Sequence, residues 1–378
     1  MNKMRSCLLQ SVSMVWLSAL FMLIIATMPV QVRAEDQQAF DVWLEDIKNA
    51  AIERGISEKT VEQALDDLEP DPRVIGFDRN QPEFKQTFDE YLTARVTDDR
   101  IKAARQYYRE HFDTLQAIAD RYEVDPQYLV AFWGLESSFG RHQGTYSVVR
   151  SLATLAFDPR RSEYFTNELF AALRILDEGH VPLDKFVGGW AGAMGQNQFL
   201  PSSFLNYAQD FDGDGRKDIW SSRKDVWASI ANYLSRNGWE RGAGWGMPAR
   251  MTRSLDFDQL KPEQWDTRCR ALGNHTRKLP LSRWQEMGLE ISGNAPPADN
   301  EYALIIPEER VSEEDVGRVF LVGGNFRTIL NYNCANIYAV SVGLLADTIM
   351  SSRPERSVVE RSGLEISPLR YAPVEMTR

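Results

Sequence analysis

Apolar positions recur three and four residues apart along most of the chain, a period that predicts a mainly α protein. Between about Phe40 and Leu92, Val42, Leu44, Ile47 and Ala50, then Val61, Ala64 and Leu65, mark helices interrupted by the proline-bearing stretch LEPDPRVIGF. Ile101, Ala104, Tyr107, Tyr108, Phe112 and Leu115 predict one long helix from Asp98 to Tyr122. Asp125-Pro126 and Asp158-Pro159 each read as an N-cap followed by proline at the first helical position, the second opening a helix that ends near Asp177. Further helices are predicted over residues 200–209, from about Asp225 to Arg236, and from Phe326 to Ile349. Residues 238–320 carry glycine, proline and scattered tryptophan without a clear period, which predicts short strands and loops in a small lobe. The stretch after Ser352 has little periodicity and is expected to be mobile.

The first 34 residues have a different pattern. Lys3 and Arg5 precede an apolar run from Val12 to Val30, and Val32-Arg33-Ala34 offers small residues at the offsets of a signal-peptidase site. This predicts a secretory signal peptide over residues 1–34. The alternative is an uncleaved anchor, since a membrane span needs about 20 apolar residues. Cys7 precedes the apolar run and cannot be a lipoprotein acceptor at the cleavage point. Removing the segment leaves 40 basic residues against 54 acidic ones, a net charge of −14. Such an acidic chain is a poor partner for nucleic acid. The two remaining cysteines, Cys269 and Cys334, read as one disulfide in an exported protein, with two buried thiols as the alternative.

One carboxylate falls where an apolar residue would be expected. Around AFWGLESSFGR, residues 131–141, Leu129, Phe132, Trp133 and Glu136 occupy one face of the helix begun at Asp125, and Gly140 is placed to end it in a left-handed cap. Burial and the negative end of the helix dipole both raise the pKa of a carboxyl so placed, which suits a general acid. The alternative is a structural Glu136 that pairs with an arginine such as Arg141 or Arg150, or one that reaches solvent past the helix end. Downstream, GGWAGAMGQNQFLPSSF gathers Gln196, Gln198, Ser202 and Ser203 around glycines that allow close approach of a ligand. Trp133, Phe139, Trp190 and Tyr233 are candidate stacking faces for sugar rings.

WGLESSFGR, SLATLAFDPRRSEYF, WAGAMGQNQFLPSSF, DFDGDGRKDIW, SIANYLSRNGW and NFRTILNYNCANIYAVSVGLLAD occur in this order. The chain thereby resembles the membrane-bound lytic murein transglycosylase B family over most of residues 40–350. The resemblance implies a mainly α fold: a lysozyme-like helical core with an added helical N-terminal region and a small β-containing lobe. The expected organisation is a signal peptide (1–34), an N-terminal helical region (35–105), a catalytic core (106–238), a β/loop lobe (239–320), a helical part completing the core (321–351) and a tail (352–378). It also implies cleavage of the β-1,4 bond between N-acetylmuramic acid and N-acetylglucosamine in the periplasm of a Gram-negative bacterium. Glu136 would act first as acid and then as base, while the muramoyl C6 hydroxyl closes a 1,6-anhydro ring. Ser137, Trp190, Gln196, Gln198, Tyr233 and Asn333 would meet or position the sugar, and Arg160 and Arg161 the carboxylates of the peptide stem. A solvated charged turn is the plainer reading of that arginine pair. Partners would be glycan strands and muropeptides, with proteins of cell-wall synthesis as further ones. A hydrolase on the same fold and a non-catalytic peptidoglycan-binding protein are the competing functions. Gly189 and Asn197 depart from the family's frequent Ser and Pro, the second expected to change loop stiffness only.

DFDGDGRKDIWS sets Asp210, Asp212, Asp214, the Arg216 carbonyl, Asp218 and Ser221 at the ligand spacing of an EF-hand loop. Ser221 stands where a bidentate Glu is usual, so calcium affinity is expected near 10⁻⁴–10⁻³ M, roughly the extracellular range. An Asx-rich turn without metal is the alternative. The chemistry itself is expected to need no cofactor. No H-E-x-x-H, Cys-x-x-Cys or G-x-S-x-G pattern is present.

Overall fold

The computed structural model describes residues 28–80, 87–291, 295–305 and 318–351. Most of the signal segment and all of the tail lie outside the described residues. Among the described residues, four helices, Met28–Glu53, Glu58–Leu65, Pro72–Asn80 and Phe88–Arg95, precede the core. The third occupies the stretch that reads as an interruption, because Pro72 starts a helix as readily as it breaks one.

At the centre lies the helix Pro126–Ser137. The helices Asp98–Glu110, Phe112–Tyr122, Arg223–Arg236 and Asn336–Met350 all pack against it. Tyr128 through Leu135 are consequently buried on every side, not on one face. Each large apolar side chain so buried contributes about 1.5–3 kcal/mol. Asp125 has the backbone of an N-cap, but its carboxylate accepts from Trp239 Nε1 (3.0 Å) and Gly242 N (3.1 Å) instead of the helix. Asp158 likewise binds Arg160, and the helix after it begins at Ser162.

Two expected helices are each divided. The run from Asp98 to Tyr122 breaks at His111, whose ring lies on Tyr107 and against Trp227. The C-terminal run is two helices, Gly324–Tyr332 and Asn336–Met350, bent by 116° at residues 333–335. Asn333 there is extended, and the Cys269–Cys334 disulfide ties the corner to the lobe.

A two-stranded ribbon pairs β1 (Tyr146–Ser147) with β2 (Val187–Gly188). The lobe is an antiparallel sheet of β3 (Gly246–Met251), β4 (Leu279–Pro280), β5 (Leu289–Ile291), β6 (Glu301–Ile305) and β7 (Arg318–Val322) in the order β4-β6-β7-β3-β5. Its last strand runs to Val322, across the boundary expected at 320. Phe320, Val322, Ala303 and Ile305 join the main core, whereas Val319, Leu321, Tyr302 and Leu304 join a second core around Trp284 and Leu281. Strands apolar on both faces lack the alternation that would have marked them.

Candidate active site

Glu136 stands in the last turn of the central helix, half-buried. The chain then takes three successive left-handed residues, Ser138 (φ 50°), Phe139 (φ 63°) and Gly140 (φ 82°). The cap therefore begins at Ser138, two residues before the expected Gly140. Gly134 makes the reversal possible, because a Cβ there would lie 2.7 Å from the Phe139 ring. Gly140 similarly lets the Gln196 amide approach where a Cβ would come within 2.4 Å of its oxygen. Ser137, fully buried, accepts from Gly140 N (3.0 Å) and so stitches the reversal together.

The Glu136 carboxylate accepts a 2.5 Å hydrogen bond from Tyr338 Oη, across the bend of the C-terminal helices. Burial pushes the carboxyl up from its ordinary value to about 7; the Tyr338 hydrogen bond and the charge of Arg95 pull the other way and only moderate the rise. Arg141 and Arg150 are not its partners: Arg141 binds the Ser138 carbonyl, and Arg150 the carbonyls of Glu69 and Pro70. Burial, reinforced by the charge of Glu136, raises Tyr338 and Tyr332 well above the usual phenol range, so both remain donors at neutral pH. Neither tyrosine could be assigned to Glu136 from local spacing, since 202 residues separate Tyr338 from it.

The amides divide by role. Gln196 is buried, accepts from Trp133 Nε1 (2.7 Å) and donates to the Trp220 carbonyl (2.8 Å), which makes it a brace for the central helix. Gln198 is half-buried in a left-handed conformation (φ 52°) and donates to the carbonyls of Gly195 and Gln143. Asn197 does more than set loop stiffness: fully buried, its side chain donates to the Val226 carbonyl, and its backbone carbonyl accepts from Tyr332 Oη at 2.6 Å. Tyr233 is buried among Tyr207, Phe199 and Tyr332 and donates to the Asn331 carbonyl at 2.7 Å. Ser202 is held by the buried Glu168. Of the expected stacking faces, Trp133, Phe139 and Tyr233 are core side chains, and Trp190 alone is half-exposed. Asn333 is exposed at the bend. Arg160 and Arg161 both bind Asp78, a residue the motifs did not single out.

In the Asp-rich loop, carboxylate oxygens of Asp210, Asp212 and Asp214 lie within 4.8 Å of one another. Asp218 turns away to accept from Trp220 N and from Ser221, whose hydroxyl is thereby engaged. Beneath the loop, the buried Asp225 accepts from Phe211 N (2.8 Å) and Asp218 N (2.9 Å). Burial raises its pKa to about 6, and the charges of Asp212 and Asp210 add to the rise. Clustered oxygens of this kind fit a hard divalent cation.

A family model described as the transglycosylase SLT domain matches residues 39–347. Membrane-bound lytic murein transglycosylase B of Escherichia coli (strain K12) is 39% identical over 274 residues, 70% of this chain and 67% of that protein. The crystal structure of SltB3 from Pseudomonas aeruginosa in complex with NAG-NAM-pentapeptide superposes with a TM-score of 0.73 at 39% identity, covering 82% of this chain and 79% of that one. The Escherichia coli lytic transglycosylase Slt35 in complex with calcium gives 0.65 at 28% identity, covering 81% and 92%. The chain carries its half-buried glutamate, its glycine-rich loop and its tyrosine-bearing bend within the matched residues, and it belongs to the lytic murein transglycosylase B family.

Proposed function

We propose that this chain cleaves peptidoglycan strands between N-acetylmuramic acid and N-acetylglucosamine, leaving a 1,6-anhydromuramoyl end. The observation that carries the reading is the Glu136 carboxyl at the end of the central helix, held by the Tyr338 hydroxyl at 2.5 Å and pushed by burial up to about 7, so that both its protonated and its ionised forms are present near neutral pH. Protonated Glu136 gives its proton to the glycosidic oxygen as the bond to C1 breaks. The resulting carboxylate, stabilised by the Tyr338 hydroxyl, takes the proton of the muramoyl C6 hydroxyl as that oxygen bonds C1. Among the described residues, the groups that shift Glu136 are Tyr338 and Arg95, and neither is a carboxylate. A retaining hydrolase needs a second carboxylate about 5–5.5 Å away, so intramolecular attack by C6 suits the surroundings better. SltB3 has been crystallised with NAG-anhNAM-pentapeptide as well, a ligand of the kind this reaction would release.

Gln198 and Trp190 face the sugar in this reading, and Asn333 sits near it at the exposed bend. Gln196, Ser137 and Tyr233 act from behind by fixing the loop, the helix end and the bend. Arg160 and Arg161 meet carboxylates of the peptide stem, work for which the guanidinium fork is suited. Asp210, Asp212 and Asp214 would hold calcium, which would stiffen the loop between the glycine-rich segment and the Tyr233 helix. The place of action is the periplasm, where signal-peptide cleavage frees the chain or an uncleaved segment anchors it. Proteins of cell-wall synthesis are natural neighbours there.

The test is mass spectrometry of products from purified murein sacculi. The proposal expects anhydro products lighter by one water than those of a hydrolase, and a fall of about 10²–10⁴-fold in turnover for Glu136→Gln, the span of general-acid contributions. Reducing ends in place of anhydro ends would establish the hydrolase. Wild type that binds sacculi and releases nothing would establish a binding protein.

A further inference from the structure

Two neighbouring residues of the helix Pro72–Asn80 make contacts of opposite kinds. Phe77 is 41% exposed, and its ring lies 6.2 Å from those of Trp190 and Tyr146. That contact places the helix beside the glycine-rich loop that also carries Gln198. The next side chain, Asp78, is only 3% exposed and receives Arg160 on one carboxylate oxygen and Arg161 on the other. The two arginine side chains remain 49% and 45% exposed. Asp158 takes Arg160 Nε at 3.2 Å and lies 3.8 Å from Arg79. Among the described residues, three guanidiniums against two carboxylates leave positive charge here, on a chain whose net charge is −11.

Stability alone is a weak reason for such an arrangement. Exposed ion pairs contribute little, and a buried carboxylate is desolvated at a cost that its partners must offset. Holding both guanidiniums from beneath does something else: it fixes two flexible side chains before a ligand arrives, so less side-chain entropy is lost on binding. We propose that Asp78 is a positioning residue that pre-orients Arg160 and Arg161 for carboxylates of a peptide stem, making the helix Pro72–Asn80 a determinant of preference for stem-bearing over bare glycan. This rests on the reading of the arginine pair given above.

The experiment compares steady-state turnover by the full chain on glycan strands with intact stems and on strands stripped of stems by an amidase. For Asp78→Asn the expected result is a KM raised about tenfold on stem-bearing strands with kcat little changed, the mark of lost ground-state binding. Stripped strands should show no change, and Asp78→Glu should recover part of the loss. An equal loss on both substrates, or none on either, would overturn the proposal. The double variant Arg160→Gln/Arg161→Gln separates the two layers of the argument. If it keeps wild-type discrimination, the arginine reading falls and the positioning role with it. If it loses discrimination while Asp78→Asn keeps it, only the positioning role falls. Should Asp78→Asn fail to fold by circular dichroism, Asp78→Glu decides: an intermediate KM on stem-bearing strands supports the role, and a wild-type KM refutes it.

Discussion

Glu136 carries two consequences of its burial, one for activity and one for stability. Its carboxyl titrates at about 7 in place of 4.5, so the protonated form that the proposed first step requires is lost as pH rises through 7. The kcat/KM profile should fall on that side. Tyr338→Phe removes a hydrogen bond that favours the carboxylate, and the alkaline limb should then move upward by about one unit. An unmoved limb would mean that the tyrosine does not touch the titrating group. For stability the sign is the reverse of the usual salt-bridged carboxylate. The unfolded chain releases this proton at its ordinary pKa while the folded chain still holds it, so stability declines as pH rises from 4.5 to about 7 and is level beyond. The full decline is on the order of 3 kcal/mol. Glu136→Gln should therefore be more stable than wild type at pH 8 and about equal to it near pH 4, as denaturant unfolding at the two values would show. The position of Glu136 among apolar residues announced the first of these effects in the sequence. Tyr338, Tyr332 and Arg95 were not legible, because the chain brings them to Glu136 from distant segments and nothing in local spacing encodes that meeting.

At the scale of elements, periodicity located the helices well and their breaks badly. Apolar spacing continues through His111 and through residues 333–335, and what ends the helices there is tertiary: the His111 ring between Tyr107 and Trp227, and the Cys269–Cys334 bond at the bend. The bend matters because Tyr332 lies before it and Tyr338 after it, and both serve the site. Cys269→Ser/Cys334→Ser opens a loop with a separation of 65 residues and should reduce stability by about 4 kcal/mol in the chain-entropy account. Because the same bond holds the bend, turnover should fall in the folded variant too; unchanged turnover would show that the helices keep their angle without it. The Asp-rich loop was legible at Asp210, Asp212 and Asp214 but not at Asp225, which lies outside the motif and supports it from beneath. With a Kd in the expected range, calcium at 10 mM should stabilise the chain by about 1.4–2.7 kcal/mol, and magnesium far less. A melting temperature indifferent to calcium would leave the loop as a metal-free turn.

Across the whole molecule the five-stranded sheet is a shared wall. Phe320 and Val322 of β7 belong to the core that surrounds the central helix, whereas Val319 and Leu321 belong to the core around Trp284. The disulfide makes a second, covalent tie between the lobe and the bend that carries Tyr332 and Tyr338. A lobe bound in both ways cannot unfold without exposing one side of the main core. Trp284 is fully buried and donates to the Tyr302 carbonyl at 2.8 Å, so Trp284→Ala should cost about 3–5 kcal/mol. That loss should lower a single calorimetric transition for the whole chain, with the calorimetric and van't Hoff enthalpies staying equal. Two separated transitions, of which only the lower moves on mutation, would show that the lobe folds alone and that the wall is a contact surface between independent units. Activity distinguishes the cases as well: with a shared wall, turnover is lost at the temperature where the lobe melts, because the bend holding Tyr338 against Glu136 is released with it.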